Sequence, residues 1–150
     1  MSIPVLLAAF LGTIAFSILY SIPTRYVVFC GLNGLIGWIV YSIIGLYAHT
    51  LFAIFFATVA IYVFARIFAV HLKCPEIVFL IPGIFPIVPG AGIYWTAYYF
   101  IAGNFSAASV SGTGAIKACL AMVLAIALVH ELPQGLFYGK KRATDTKAVK

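Results

Sequence analysis

The chain has 150 residues, 65% of them hydrophobic and 8% charged, with a mean hydropathy of +1.16. A soluble domain of this size keeps roughly 25% charged residues to cover its surface, so a water-soluble globule is excluded and most of the exterior must face lipid or other apolar helices. The net charge of +6 does not point to nucleic acid, because Lys140, Lys141, Arg142, Lys147 and Lys150 all follow the last apolar run instead of lining a face. A basic cluster beside a span is a topology signal or a contact for anionic lipid.

In chain order, the apolar runs predict an all-α membrane bundle with about five spans, at roughly 3–21, 26–48, 51–70, 77–102 and 109–132. Each is near the ~20 residues that cross ~30 Å of hydrocarbon. Residues 1–138 form the transmembrane domain and 139–150 a basic cytoplasmic tail. The first run resembles a signal peptide in hydropathy but lacks a basic start, so it reads as a span. Only His49 and Thr50 separate the second and third runs, which predicts a tight antiparallel hairpin. With five crossings Arg25, Arg66, Lys73 and the tail share one side, while the turn at His49 and the loop at 103–109 carry no cation. Cationic loops stay in the cytoplasm, so the N-terminus is expected outside and the C-terminus inside.

The fourth run departs from the others. Ile81-Pro82-Gly83-Ile84-Phe85-Pro86-Ile87-Val88-Pro89-Gly90-Ala91-Gly92 places three prolines and three glycines in twelve residues. Each proline removes a backbone donor and clashes with the carbonyl four residues back. Each also drives its predecessor (Ile81, Phe85 or Val88) out of the helical region. The flanks are fully apolar, so the segment predicts a broken helix at bilayer depth. Unpaired backbone groups there cost several kcal/mol each unless buried in protein or facing a water-filled cavity. A single proline reads as a packing kink; three clustered with glycines favour a cavity. A new helix is expected near Pro89-Gly90, with Gly90 and Gly92 giving a solute close access to backbone. Tyr94, Thr96 and Tyr98 stand ready to supply hydroxyls.

These residues carry a family resemblance. Pro82-Gly83-Ile84-Phe85-Pro86-Ile87-Val88-Pro89-Gly90, followed by Tyr94 and Thr96, is similar to the threonine/serine exporter (ThrE) superfamily, and more closely to its small, YjjB-type subunit. A second match is Pro23-Thr24-Arg25 running into Cys30-Gly31-Leu32-Asn33-Gly34. The resemblance implies a bacterial cell-membrane exporter, driven by an ion gradient, for threonine/serine-type amino acids or dicarboxylates such as succinate. It also implies a hetero-oligomer, since fused members carry a larger multi-span half that this chain lacks.

Among the other polar residues, Lys117 falls within the fifth run, about two turns from its outer end. An ammonium inside a span is by default a functional candidate; it either attracts a substrate carboxylate or snorkels to the headgroups. Asn33, between Gly31 and Gly34, is placed to hydrogen-bond a neighbouring helix, with ligand binding the lesser alternative. Arg66 and Lys73 read as inside anchors, as does Arg25, to which the resemblance adds a possible substrate contact. Glu131 and His130 lie at the inner end of the fifth run, where partial solvation explains them. Ala107, Ser111, Ala115 and Cys119 form a small-residue stripe for helix packing. No carboxylate lies deep within a span, so the proton carrier of a proton-driven exporter is expected in a partner chain.

Cys30, Cys74 and Cys119 show no metal-ligand spacing, and no acid–base pair or nucleophile set can be assembled. Neither an enzyme, nor a metal, nor a cofactor is therefore expected. The competing reading is a structural or assembly subunit with no direct solute contact. Single cysteines at Ser2, Thr50 and Ser106 should label with an impermeant maleimide from outside, and those at Lys73 and Thr144 should not. The reverse pattern would invert the topology.

Overall fold

A computed structural model describes residues 3–132, which form six α-helices and one 3₁₀ turn, with no strand among the described residues. They are α1 (Ile3–Leu19), α2 (Thr24–Tyr47), α3 (Thr50–Leu72), α4 (Ile77–Ile84), the turn Phe85–Ile87, α5 (Gly90–Ile101) and α6 (Phe105–His130). α2, α3 and α6 are each long and apolar enough to cross a bilayer, and α4 with its turn joins α5 as a broken span bent by 52°. α1 has 17 residues, about 26 Å of helix, at the short end of what crosses. The architecture is the all-α membrane bundle expected. The tail at 139–150 lies outside the described residues.

Local sequence explains the helix ends. Gly103 adopts φ +76°, and the Asn104 and Gly103 amides donate to the Tyr99 and Phe100 carbonyls; this left-handed cap closes α5. Asn104 then caps the next helix, its side-chain oxygen accepting from Ala107 N at 3.1 Å. That cap starts α6 at Phe105, so the connection is the three residues Ala102–Asn104, and Ser106–Ser109, expected in a loop at 103–109, are helical. The connection between α2 and α3 is the tight one anticipated, with only Ala48 and His49 outside helix.

α2 is the central helix: it packs on α1, α3, α4 and the 3₁₀ turn. α3 also packs on α4 and α6, and α5 packs on α6 alone. Lipid tails are as apolar as leucine, so these helices associate through close packing and hydrogen bonds rather than hydrophobic exclusion. Glycines on one face of α2 provide the closeness. A Cβ added at Gly31 would lie 2.8 Å from Phe10 and Ile14 atoms, and one at Gly34 would fall on Thr13. One at Gly37 would collide with Ile61 of α3. On α4, a Cβ at Gly83 would lie 2.6 Å from Asn33 Nδ2 and 3.0 Å from Ile61 Cγ2, so three helices meet at that glycine.

The small-residue stripe on α6 is real in its first half and shifted in its second. Ala108, Ala115, Ala118, Met122, Ala125 and Val129 are buried, whereas Cys119 is exposed. At 3.6 residues per turn a strict four-residue step drifts off the contact face, and Ala118 takes the place assigned to Cys119.

Because Asn33 is held by a hydrogen bond and Ile61 is fully buried, Gly83→Ala should overpack this junction and cost about 1–3 kcal/mol. Gly114, with nothing within 4 Å of an added Cβ, offers the contrast. Gly114→Ala should leave stability equal or raise it by up to about 1 kcal/mol through helix propensity. Thermal unfolding in detergent, compared between the two variants, checks this.

Candidate functional site

The site is the break itself and what surrounds it. Pro82 lies inside α4, and Ile81 and Phe85 keep helical conformations; only Val88, with ψ 131°, leaves the helical region. The expectation that all three preceding residues would be expelled is corrected, and hydrogen-bond accounting gives the reason. Pro82 deprives the Val78 carbonyl of its donor, and Cys30 Sγ of α2 lies 3.4 Å from that oxygen. Pro86 deprives Pro82, whose carbonyl accepts from Phe85 N in a tighter 3₁₀ bond. Pro89 deprives Phe85, whose carbonyl accepts from Val88 N at 3.3 Å. Pro89, at φ −76° and ψ 51°, then centres an inverse γ-turn closed by Gly90 N donating to Val88 O at 2.7 Å. α5 starts immediately after, where a new helix was expected.

Asn33 sits at the heart of this arrangement. Its Nδ2 donates to the Phe79 carbonyl at 3.1 Å, one residue beyond the oxygen taken by Cys30. Cys30 and Asn33 are one helical turn apart on α2, so they address adjacent carbonyls of α4. The interhelical role foreseen for Asn33 is the one it fills. Its other end stands apart: Oδ1 is fully buried and accepts no hydrogen bond. A buried acceptor left unpaired costs about 1–3 kcal/mol.

Beside this junction α1 supplies two buried hydroxyls, Thr13 and Ser17, each donating to a carbonyl four residues back at 2.7 and 2.8 Å. A cleft of about 240 Å³ opens between α1, α2 and the 3₁₀ turn, lined by Val5, Ala9, Thr13, Trp38, Phe85 and Pro86 among others. Phe85 stacks on Phe16, and Pro82 and Gly83 are buried on the α2 side. Phe85 and Pro86 thus line a cavity while Pro82 and Gly83 pack against helix.

The second half of the predicted set lies elsewhere. Gly92 packs on Ala115 of α6 and Thr96 on Gly112, so both serve the α5–α6 contact. The Thr96 hydroxyl donates to the Gly92 carbonyl at 2.6 Å, inside its own helix. Gly90 is open, and Tyr94 and Tyr98 stack on the exposed face of α5 with Trp95 between them. Pro89 is the hinge between the two groups.

Lys117 is exposed on α6, twelve residues from Phe105 and thirteen from His130. Because α6 begins earlier than expected, this ammonium is more than three turns from the helix start, nearer the middle than the two turns read from sequence. Arg25 is exposed, lies over the Tyr26 ring and hydrogen-bonds its hydroxyl. Burial pushes the Cys74 thiol up from its ordinary range while the positive Arg25 pulls it the other way, which places Arg25 near the α3–α4 loop.

Sequence reasoning missed a polar cluster at that end. Arg66 is not a solvated anchor but is 4% exposed, pairing through Nε with Glu76 Oε2 at 3.0 Å. Its Nη1 and Nη2 donate to the Leu132 and His130 carbonyls at 2.8 and 3.1 Å, closing the end of α6. The Tyr62 hydroxyl donates to Glu76 Oε1 at 2.8 Å and lies 3.0 Å from His130 Nδ1. The four-residue step from Tyr62 to Arg66 was the available signal, since it puts both on one face of α3. Among the described residues no group of His, Cys, Asp and Glu is placed to hold a metal ion.

Neither a curated protein nor a solved structure matches the chain. A sequence model described as "Threonine/Serine exporter, ThrE" matches residues 5–132, which spans all six helices and the proline-broken segment at their centre. On that match, and with apolar helices fit to cross a bilayer, the chain is a membrane protein and belongs to the threonine/serine exporter family.

Proposed function

We propose that the chain is one subunit of a secondary-active exporter of small polar metabolites, with the cleft at the break forming part of the solute path. The single observation that carries this is Asn33 Oδ1, a fully buried acceptor without a donor, beside Gly83 in the first half of the broken span. The three carbonyls orphaned by proline already have partners within the chain, whereas this oxygen, among the buried side-chain atoms of the described residues, has none and can receive a solute donor. An ammonium or hydroxyl suits it, and threonine and serine carry both. The family match supports the same class of solute. Dicarboxylates such as succinate lack those donors and are the weaker substrates in this reading.

The five-span count, with α1 crossing and the cationic end in the cytoplasm, belongs to the same proposal. Arg66, Glu76 and the end of α6 share one end of the bundle, with Arg25 near the adjoining loop, and the positive-inside rule orients that end.

The working unit includes a second, larger chain. Lys117 supports this: it faces out of the bundle about 18 Å along α6 from either end. A lysine near the bilayer centre costs about 2.5–3.5 kcal/mol on insertion scales. The chain's three acidic residues, Glu76, Glu131 and Asp145, all fall far from it in sequence, toward the end of the bundle where Arg66 sits or in the tail. Among the described residues the only carboxylates, Glu76 and Glu131, lie at that end, so a partner for Lys117 is expected from a different chain.

Co-expression with the larger family subunit, followed by efflux of radiolabelled threonine, serine and succinate, tests the proposal. Efflux of the hydroxy amino acids should depend on both chains. Pro86→Ala and Gly90→Leu should lose it while the complex still forms; retention of efflux in both would leave only the assembly-subunit reading. Lys117→Leu should reduce co-purification of the larger chain, and unchanged recovery would remove the charge-pairing argument.

A further inference from the structure

The cluster at the cationic end does chemistry that packing alone does not require. His130 Nδ1, Tyr62 Oη and Glu76 Oε1 form a chain with steps of 3.0 and 2.8 Å. His130 is exposed, Tyr62 is 3% exposed, and Glu76 is half-buried. An imidazole, a phenol and a carboxylate in hydrogen-bond series make a proton path from the exposed His130 through the buried Tyr62 to the half-buried carboxylate at the start of α4. That carboxylate is also the residue from which α4 begins, and its other oxygen holds Arg66.

We propose that Glu76, reached through His130 and Tyr62, is a proton-binding site that controls how the broken helix is attached. A proton from water binds His130 at Nε2. The imidazolium passes its Nδ1 proton to Tyr62 Oη as the phenolic proton moves to Glu76 Oε1. The products are neutral His130, neutral Tyr62 and a protonated Glu76, so one proton has moved and no charge is created elsewhere. A neutral carboxyl no longer attracts Arg66. The guanidinium keeps its bonds to the Leu132 and His130 carbonyls, so α3 and α6 stay joined while the start of α4 is released. The next residues along α4 are those held by Cys30 and Asn33, which connects the proton site to the kink.

Other ionisable groups among the described residues at this end have their own places. Arg25 of α2 pairs with Tyr26, and its charge acts on Cys74 in the α3–α4 loop. His71 turns back to the Ile67 carbonyl of its own helix at 2.9 Å. Lys73 is exposed at the end of α3 and Glu131 is exposed after α6. Glu76 is the carboxylate that the relay reaches, and it lies in this chain, where sequence reading had assigned the proton carrier to a partner.

The transport reading gives this site its consequence, but proton binding is tested without transport. Cys74, two residues before Glu76, is half-buried and reports on the loop. In native vesicles holding the whole complex, with Cys119→Ala in the background, its alkylation rate is measured against pH in the otherwise wild-type chain and in Glu76→Gln. Thiol ionisation is common to both apart from the effect of the Glu76 charge itself, so their ratio reports on Glu76. The wild-type rate should equal the variant's at acid pH and fall below it as pH rises; a ratio constant with pH overturns the proposal. Should Glu76→Gln not assemble, Tyr62→Phe is compared directly with wild type: losing one donor to the carboxylate should shift the pH dependence of Cys74 alkylation to higher pH, and superimposable profiles overturn the proposal. Efflux at varied internal pH is the second arm: wild type should respond to pH and Glu76→Gln should not. A pH-dependent alkylation ratio without wild-type efflux would sink the transport reading alone, whereas efflux with a flat ratio would sink the proton site alone.

Discussion

Three backbone carbonyls, those of Val78, Pro82 and Phe85, lose their helical donors to the prolines four residues ahead. In hydrocarbon no water replaces those donors, and each unmet group costs several kcal/mol. The fold answers in two ways. Above the kink the chain tightens into 3₁₀ bonds and an inverse γ-turn, using its own amides. Below it, α2 reaches across with Cys30 and, for the neighbouring carbonyl, Asn33. That reach is possible only because Gly83 removes the side chain that would stand between the helices. Pro82 and Gly83 therefore act on adjacent contacts: proline exposes the Val78 carbonyl to Cys30, and glycine makes room for Asn33 at the Phe79 carbonyl.

The division of labour along the fold follows from this. Thr13, Ser17, Cys30 and Asn33 make a buried polar seam through the centre of α1, α2 and α4, with no ion in it. Charge is kept at one end, where Arg66 ties α3 to the start of α4 and the end of α6.

Hydropathy and proline chemistry made the membrane class, the broken helix, its restart at Gly90 and the α2–α3 hairpin legible from sequence. The start of α6 was misread because Asn104 does two jobs, ending one cap and beginning the next, and a run of Ser and Ala looks like loop until its cap is recognised. The fate of Arg66 was hidden for a different reason. Its partners lie ten residues ahead in the loop and more than sixty ahead on α6, and one-dimensional periodicity does not show which helices meet. The same blindness grouped Tyr94 and Thr96 with the kink residues, although α5 turns away from them. Asn33 was legible as an interhelical donor from its glycine neighbours, but not as an acceptor left over.

One consequence concerns the order in which the chain is built. α1 to α4 contact one another, so each finds a neighbour among segments already synthesised. α5 does not: among the described residues it touches only α6, which comes after it. With none of its side chains buried and a turn at Pro89 behind it, α5 leaves the ribosome before the helix it packs on exists. Its packing within the chain therefore waits on α6, with Gly103 and Asn104 forming the bend that lets the two pair.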